Sequence, residues 1–519
     1  MSALFDRIEE HARSVPERPA LRGSGVSIRY GELEDTIRRT AELLSRFVPD
    51  GRPVAWIADN GPGPALLDLA LAYMGRTSLP IPPFFSDDQR WHVLQDAGAG
   101  TLLIQGAPSA SAPLSIASSS FEVRRLAPPA VALPEGTAKV TYTSGSTGRP
   151  KGVCLSQATL EATAAAVVEA VGIGTAGVHC PVLPLAVLLE NVAGHYAVLM
   201  AGGTYRCEPL ATLGLGRPFA PEFARMAEAL LAAEATSTIL VPELLRGLIG
   251  ALAGSHGRLP AMRFVAVGGA RVAPRLLAAA AAVGLPVYEG YGLTEAGSVV
   301  SLNTPEECRP GSVGRFLPHV DADVTSDGEL LLRRPLFLGY TGSSLPPQAH
   351  ATGDLVRIDA EGYLAIEGRR SNVLITGFGR NVSPEWVESE LLAQPAIGQA
   401  MVVGDGAAQL AALLVPASTS VGTDAIAAAV DAANRTLPAY AQVGAWRVVP
   451  PFAPHNGLAT ANGRLKRETI SAAHASLIAT MIGASDDLLR PAHLGDRPAA
   501  PVPARDAADP RRARRADLA

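Results

Sequence analysis

The chain has 519 residues, 48% apolar and 18% charged, with 44 Lys and Arg against 49 Asp and Glu, a formal net charge of -5. That length exceeds what a single hydrophobic core serves, so at least two domains are expected. The composition excludes a globally disordered chain, and the lack of a basic excess argues against a nucleic-acid partner.

Four cysteines, Cys154, Cys180, Cys207 and Cys308, stand far apart without a Cys-x-x-Cys pair. This speaks against a zinc ribbon or a disulfide framework and fits a reducing compartment. The N-terminal stretch MSALFDRIEEHARSVPERPA is charged throughout, where a signal peptide needs an apolar core. No apolar run reaches the roughly 18 to 20 residues of a membrane span. A cytoplasmic protein with no transmembrane segment is the expectation.

Residues 30–48, YGELEDTIRRTAELLSRFV, place apolar side chains at helical spacing, and GRPVAWIAD then reads as a buried strand opened by a turn. The pairing recurs in RWHVLQDAGAGTLLIQG, in ATSTILVPELLRGLIGALAG and in RFVAVGGARVAPRLLAAAAAVGLPVYEGYG. Such alternation predicts an α/β fold with parallel sheets over most of the length.

Residues 133–160, LPEGTAKVTYTSGSTGRPKGVCLSQATL, read as strand, polar glycine loop, second apolar run and helix. Gly145, Gly148 and Gly152 permit positive φ and close backbone approach. Successive N–H groups and the hydroxyls of Thr143, Ser144, Ser146 and Thr147 suit phosphate oxygens, with Lys151 supplying charge. The spacing is not that of the Walker loop. The stretch GIGTAG at 172–177 satisfies Gly-x-Gly-x-x-Gly, but a helical pattern precedes it and a strand-like one follows. A dinucleotide fingerprint needs strand, glycines, helix, so that reading fails.

Near residue 368 the texture changes. GRRSNVLITGFGRNVSPEWVESELL predicts a strand, a glycine turn and a helix opened by Ser383-Pro384. Residues 485–519 are rich in Pro, Ala and Arg and are expected to be a disordered tail, its RRARR solvated.

The loop at 141–152 resembles the phosphate loop of the adenylate-forming superfamily, which includes acyl-CoA synthetases, peptide-synthetase adenylation domains and luciferases. Further motifs follow in that family's order: VGGA (267–270), YGLTE (291–295), TGDL (352–355), GRRSNVLITGFGRNVSPEWVE (368–388) and TANGRLKR (460–467). The resemblance covers roughly residues 5–483. It implies a large N-terminal AMP-binding domain over 1–368 and a small, mobile α+β domain over 369–484, joined by a hinge at Ser371.

The chemistry the resemblance implies is attack of a carboxylate on the α-phosphate of ATP, giving acyl-AMP and pyrophosphate, then thioester formation with CoA. Both first reactants are anions, so catalysis means positioning and neutralising charge. By the family's motifs Thr294 touches the α-phosphate and Glu295 helps hold Mg2+, an ion suited to a carboxylate plus phosphates. Thr143, Ser144, Gly145, Ser146, Thr147, Gly148 and Lys151 bind phosphates. Gly269, Ala270, Tyr291 and Gly292 line the nucleotide, with Tyr291 against adenine. Asp354 and Arg369 take the ribose.

In the last motif the family carries a catalytic lysine where this chain has Arg464, with Lys466 two residues on. Arginine is larger, planar and bidentate, so the exchange is not conservative. Three outcomes are open, in this order: Arg464 does the lysine's work, Lys466 reaches in, or adenylation is impaired. The segment LPLAVLLENVAGHYAVLMAGG (183–203) resembles the long-chain acyl-CoA synthetase version, with Val187 in place of a histidine and Glu190 matching. A fatty or other hydrophobic acid is therefore the expected substrate. Delivery to a carrier-protein phosphopantetheine supplied in trans, or to an amine, is the alternative. A nucleotide-binding relative with weak or lost catalysis is the alternative of another class.

Overall fold

Short β-branched runs and amphipathic helices sort into two large sheets, each covered by helices, and a small C-terminal unit. The computed structural model describes all residues except 1, 49–50, 107–113, 144–149, 173–176, 217–220, 256, 344–347, 378, 461–462 and 484–519. Residues Ser144, Gly145, Ser146, Thr147 and Gly148 and the tail at 485–519 lie outside the described residues.

Local pattern sets the elements. The helix Tyr30–Ser45 buries Leu33, Ile37, Ala41 and Leu44 on one face, the three-and-four spacing of an amphipathic helix. Ser156 caps the helix Gln157–Val171 by accepting from the Thr159 N–H at 3.1 Å, one of the orphan donors of a first turn.

Among the described residues the larger sheet has nine strands. Its middle is parallel and runs through Val287–Leu293, Phe264–Val267, Ser237–Leu240, Val178–His179, Thr204–Arg206 and Pro19–Gly23. An eight-stranded sheet is parallel through Thr137–Thr143, Ser78–Pro80, Val54–Ile57 and Thr101–Gln105. The expectation of parallel sheets needs correcting at the margins. Both sheets are mixed, because neighbours such as Thr137–Thr143 and Lys151–Ser156, or Val287–Leu293 and Ser298–Leu302, are joined by short connections that only antiparallel pairing accommodates. A four-stranded antiparallel sheet, Ala322–Val324, Glu329–Leu332, His350–Ile358 and Leu364–Arg369, completes the large part.

The small domain is a sheet of Ile397–Val403, Leu410–Pro416 and Val443–Val448. The middle strand alternates: Leu410, Ala412 and Leu414 pack with Val387, Leu391, Ile426 and Val430, while Ala411, Leu413 and Val415 pack with Phe452, Ile470 and Met481. Both faces are buried, which explains a strand with no polar alternation. The helix Pro384–Leu392 starts where the Ser383-Pro384 signal puts it, with Ser383 Oγ accepting from the Trp386 N–H at 3.4 Å. No described helix is long and apolar enough to cross a membrane.

Candidate active site

Three of the motifs, the glycine-rich loop, VGGA and YGLTE, lie at the carboxyl ends of strands with parallel neighbours, the usual binding edge of an open α/β sheet. Thr143 ends one strand and Lys151 begins its antiparallel neighbour, directly opposed in register, so the pair closes the base of the glycine-rich loop with Lys151 exposed. A helix braces both sides of that base. In Asp87–Asp96, Asp96 Oδ2 accepts from Tyr142 Oη at 2.6 Å and from Thr341 Oγ1 at 2.5 Å, and one turn earlier His92 Nε2 lies 2.8 Å from the Pro150 carbonyl.

The strand Val287–Leu293 delivers the next group. Its pairing with Ser298–Leu302 slips between Tyr291 and Gly292, and such a bulge re-aims the side chains that follow. Gly292 is required there: a Cβ would lie 1.7 Å from the Ser298 carbonyl oxygen. A single 3-10 turn, Thr294–Ala296, then presents Thr294 and Glu295, both partly exposed. Tyr340 Oη donates to Glu295 Oε1 at 3.1 Å, and burial followed by the Glu295 charge pushes the Tyr340 phenol up, keeping it a donor. Gly269, at φ +84, and Ala270 are exposed just beyond the end of Phe264–Val267.

Asp354 sits directly opposite Arg369 across two antiparallel strands. It is 4% exposed, and it draws Tyr291 Oη to 2.6 Å on one oxygen and Arg369 Nε to 2.8 Å on the other. Burial and then Asp354 push the Tyr291 phenol well above its ordinary value, so it remains protonated. Each carboxylate oxygen can accept twice, so this corner retains acceptor capacity for a diol such as ribose.

Ser371 lies in the exposed 3-10 turn Arg370–Asn372 between the large and small parts. Further on, Thr460 accepts from the Arg464 N–H at 2.9 Å and Leu465 packs half-buried against the small-domain core, so the exposed Arg464 and Lys466 flank it. The two differ in surroundings. Arg464 is crowded by neighbouring chain, which, with the Arg369 charge, holds its guanidinium below the ordinary arginine value against the pull of Glu243. Lys466 instead precedes the helix Arg467–Ala473 as its N-cap.

Among the described residues no three or more His, Cys, Asp or Glu side chains are grouped to hold a metal by themselves. Glu295 offers one carboxylate with one oxygen committed to Tyr340. That donor set fits Mg2+ completed by phosphate oxygens, a common arrangement for that ion.

Local reading missed several partners. Tyr340 lies 45 residues beyond Glu295 and carries no motif. Glu190 matches the long-chain pattern, yet it is fully buried in the π-helix Glu190–Tyr196, with Oε1 3.0 Å from His179 Nε2 and 3.3 Å from Tyr205 Oη. Burial raises its carboxyl. Val187 and Leu189 are half-buried, while Leu188 belongs to the core.

Sequence comparison matches residues 8–341 to the family described as AMP-binding enzyme, and residues 371–485 to the AMP-binding enzyme C-terminal domain. The chain is 27% identical to the long-chain-fatty-acid–CoA ligase FadD15 of Mycobacterium tuberculosis, over 90% of this chain and 95% of that one. It is 25% identical to the indoleacetate–CoA ligase of Aromatoleum aromaticum, over 77% and 85%. In structure it superposes on the anthranilate–CoA ligase AuaEII solved with anthranoyl-AMP, with a TM-score of 0.77 at 18% identity, covering 92% of this chain and 98% of that one.

Proposed function

The chain belongs to the AMP-binding enzyme family, and from that premise we propose that it activates a hydrophobic carboxylic acid, fatty or aromatic, as its acyl adenylate and transfers the acyl group to the thiol of CoA. The enzyme class is that of an AMP-forming acid–thiol ligase, the activity for which its curated relatives are named. The observation that carries the reading is the meeting of three sequence-distant motifs in one corner: Tyr291 from YGLTE, Asp354 from TGDL and Arg369 from GRRSN, joined by contacts of 2.6 and 2.8 Å.

In the first step a carboxylate oxygen attacks the α-phosphorus of ATP, the bond to the bridging oxygen breaks, and pyrophosphate leaves. Asp354, Tyr291 and Arg369 orient the nucleoside, while Thr294, Lys151 and Arg464 supply donors and positive charge to the phosphates. Fixed charge in a protein corner stabilises a developing anion more than mobile water does. Glu295, together with phosphate oxygens, would hold Mg2+, which would supply further neutralisation of the phosphate charge. In the second step the CoA sulfur attacks the acyl carbon, its proton is lost to solvent, and AMP leaves. The proposed division into 1–368 and 369–484, with Ser371 as the pivot, lets one site serve both steps in turn.

The substrate class is supported by the relatives named for fatty and aromatic acids. The test is pyrophosphate release from ATP and Mg2+ across aliphatic and aromatic acids, with mass spectrometry of the CoA products. Acid-dependent release with acyl-CoA as product is expected. Release with thioester only on a carrier protein, or an amide product, would replace CoA as the acceptor. Nucleotide binding without release for any acid would overturn the reading.

A further inference from the structure

Two arginines of the large domain hydrogen-bond into the small one, and a third stacks on it. Arg246, in the helix Pro242–Ser255, donates from Nη1 to the carbonyls of Leu392 at 2.9 Å and Ile397 at 3.0 Å. Arg275, in Pro274–Ala282, donates to the Ala432 carbonyl at 3.2 Å and places Nε 3.6 Å from Glu390 Oε2. Between them Arg271 holds the Ile366 carbonyl at 2.7 Å and stands over the Trp386 ring at 5.9 Å.

What the arginines touch is informative. Leu392 is the last residue of the helix Pro384–Leu392, and Ala432 lies in the last turn of Thr423–Asn434. Carbonyls there have no helical N–H to accept from and carry the negative end of the helix dipole. Two helix ends of one domain are therefore capped by cations of the other. The small-domain acid beside Arg275, Glu390, already accepts from Thr436 Oγ1 at 3.0 Å.

The same helix looks towards the site. Glu243, three residues before Arg246 and on the same side of Pro242–Ser255, is one of the two charges acting on Arg464; the other is Arg369. The helix that grips the small domain thus also carries an acid whose charge acts on Arg464.

We propose that Arg246 and Arg275, with Arg271 stacked on Trp386 between them, are positioning residues for adenylation: the first two cap two small-domain helices, and together the three fix the orientation that brings Arg464 to the Asp354–Arg369 corner and release before thioester formation. This rests on the adenylating function proposed above. Removing the cap loosens the first half-reaction and spares the second.

The test uses full-length Arg246→Gln/Arg275→Gln. Acid-dependent pyrophosphate release falls about tenfold, the loss expected for about one charge-assisted hydrogen bond. Meanwhile conversion of a synthetic acyl adenylate and CoA to thioester keeps its rate or gains. Arg246→Lys, which retains a cation with donors for both carbonyls, restores most of the first activity. Equal loss in both half-reactions, or no loss in the first, overturns the proposal. A second readout needs no turnover: fluorescence energy transfer between a dye on exposed Cys308 and one on Ser420→Cys, both away from these contacts. The double variant must broaden or lengthen that distance, and an unchanged distance overturns the clamp. Wild-type protein that releases no pyrophosphate with any acid would sink the function reading instead, and the fluorescence distance would still decide the clamp.

Discussion

Arg369 Nε and Asp354 Oδ1 lie 2.8 Å apart at directly opposed positions of the strands His350–Ile358 and Leu364–Arg369, with the arginine half exposed and the aspartate buried. The register fixes the pair in the free protein, so the carboxylate proposed to bind ribose is already oriented. Asp354→Ala should raise the KM for ATP at least about tenfold, the equivalent of losing one charged hydrogen bond, while the KM for the acid changes little. Steady-state kinetics with each substrate varied checks this. Arg369→Lys should fall between the two, because an ammonium cannot reproduce the planar fork.

Arg464 and Lys466 make opposite predictions. The Arg369 and Glu243 charges both act on Arg464, while Lys466 sits at the start of the helix Arg467–Ala473. Arg464→Ala should lower pyrophosphate release by about a hundredfold, the order seen when a donor to transition-state charge is removed, and leave thioester formation from synthetic acyl adenylate intact. Arg464→Lys should recover much of it. Lys466→Ala should stay within about threefold, since Lys466 occupies the N-cap of Arg467–Ala473 without a capping hydrogen bond from its side chain. The reverse pattern would make Lys466 the working cation.

Within the large domain the fully buried Lys139 lies 2.8 Å and 2.9 Å from the two oxygens of Asp68, which also takes Asn191 at 2.9 Å and Tyr196 at 3.0 Å. Every donor is satisfied locally, so the network tolerates burial. Asp68→Asn leaves an uncompensated ammonium and should cost about 3 to 5 kcal/mol, measured by urea unfolding. Lys139→Met combined with Asp68→Leu should cost less than either single change, because the desolvation of both charges disappears with them.

Local pattern told much of the fold. The helix Tyr30–Ser45, the hairpin flanking the glycine loop and the Ser383-Pro384 helix start are all written in contiguous residues, and so is the helix-then-strand order around GIGTAG. The meeting of Tyr291, Asp354 and Arg369 was legible only through the order of motifs, since their contacts span up to 63 residues. Lys139 shows what periodicity cannot reveal: within TAKVTYT it reads as a strand's polar side, yet its partner lies 71 residues earlier and turns it inward. The interdomain arginines are equally silent, because each stands in an ordinary helical or loop context and meets a carbonyl 95 to 157 residues away.

Glu289, two residues before Tyr291 on the same strand, gives a pH signature. It is buried, and its Oε2 accepts from the Gly311 N–H at 3.0 Å. Burial pushes its carboxyl up from 4.5 to about 7, against the opposing pull of Gly311 and Arg271. A folded-state value above the unfolded one means that the native protein binds the proton more tightly. Stability is therefore greatest while Glu289 is protonated, falls as pH rises from about 4.5 to about 7, and levels off above that. At about 1.36 kcal/mol per pH unit the full effect is about 3 kcal/mol. Glu289→Gln keeps the shape without the charge, so it should lie close to wild type at pH 5 and become more stable than wild type by up to that amount at pH 8. Urea unfolding of both proteins at the two pH values measures the difference, and parallel pH profiles would show that Glu289 ionises normally in the fold.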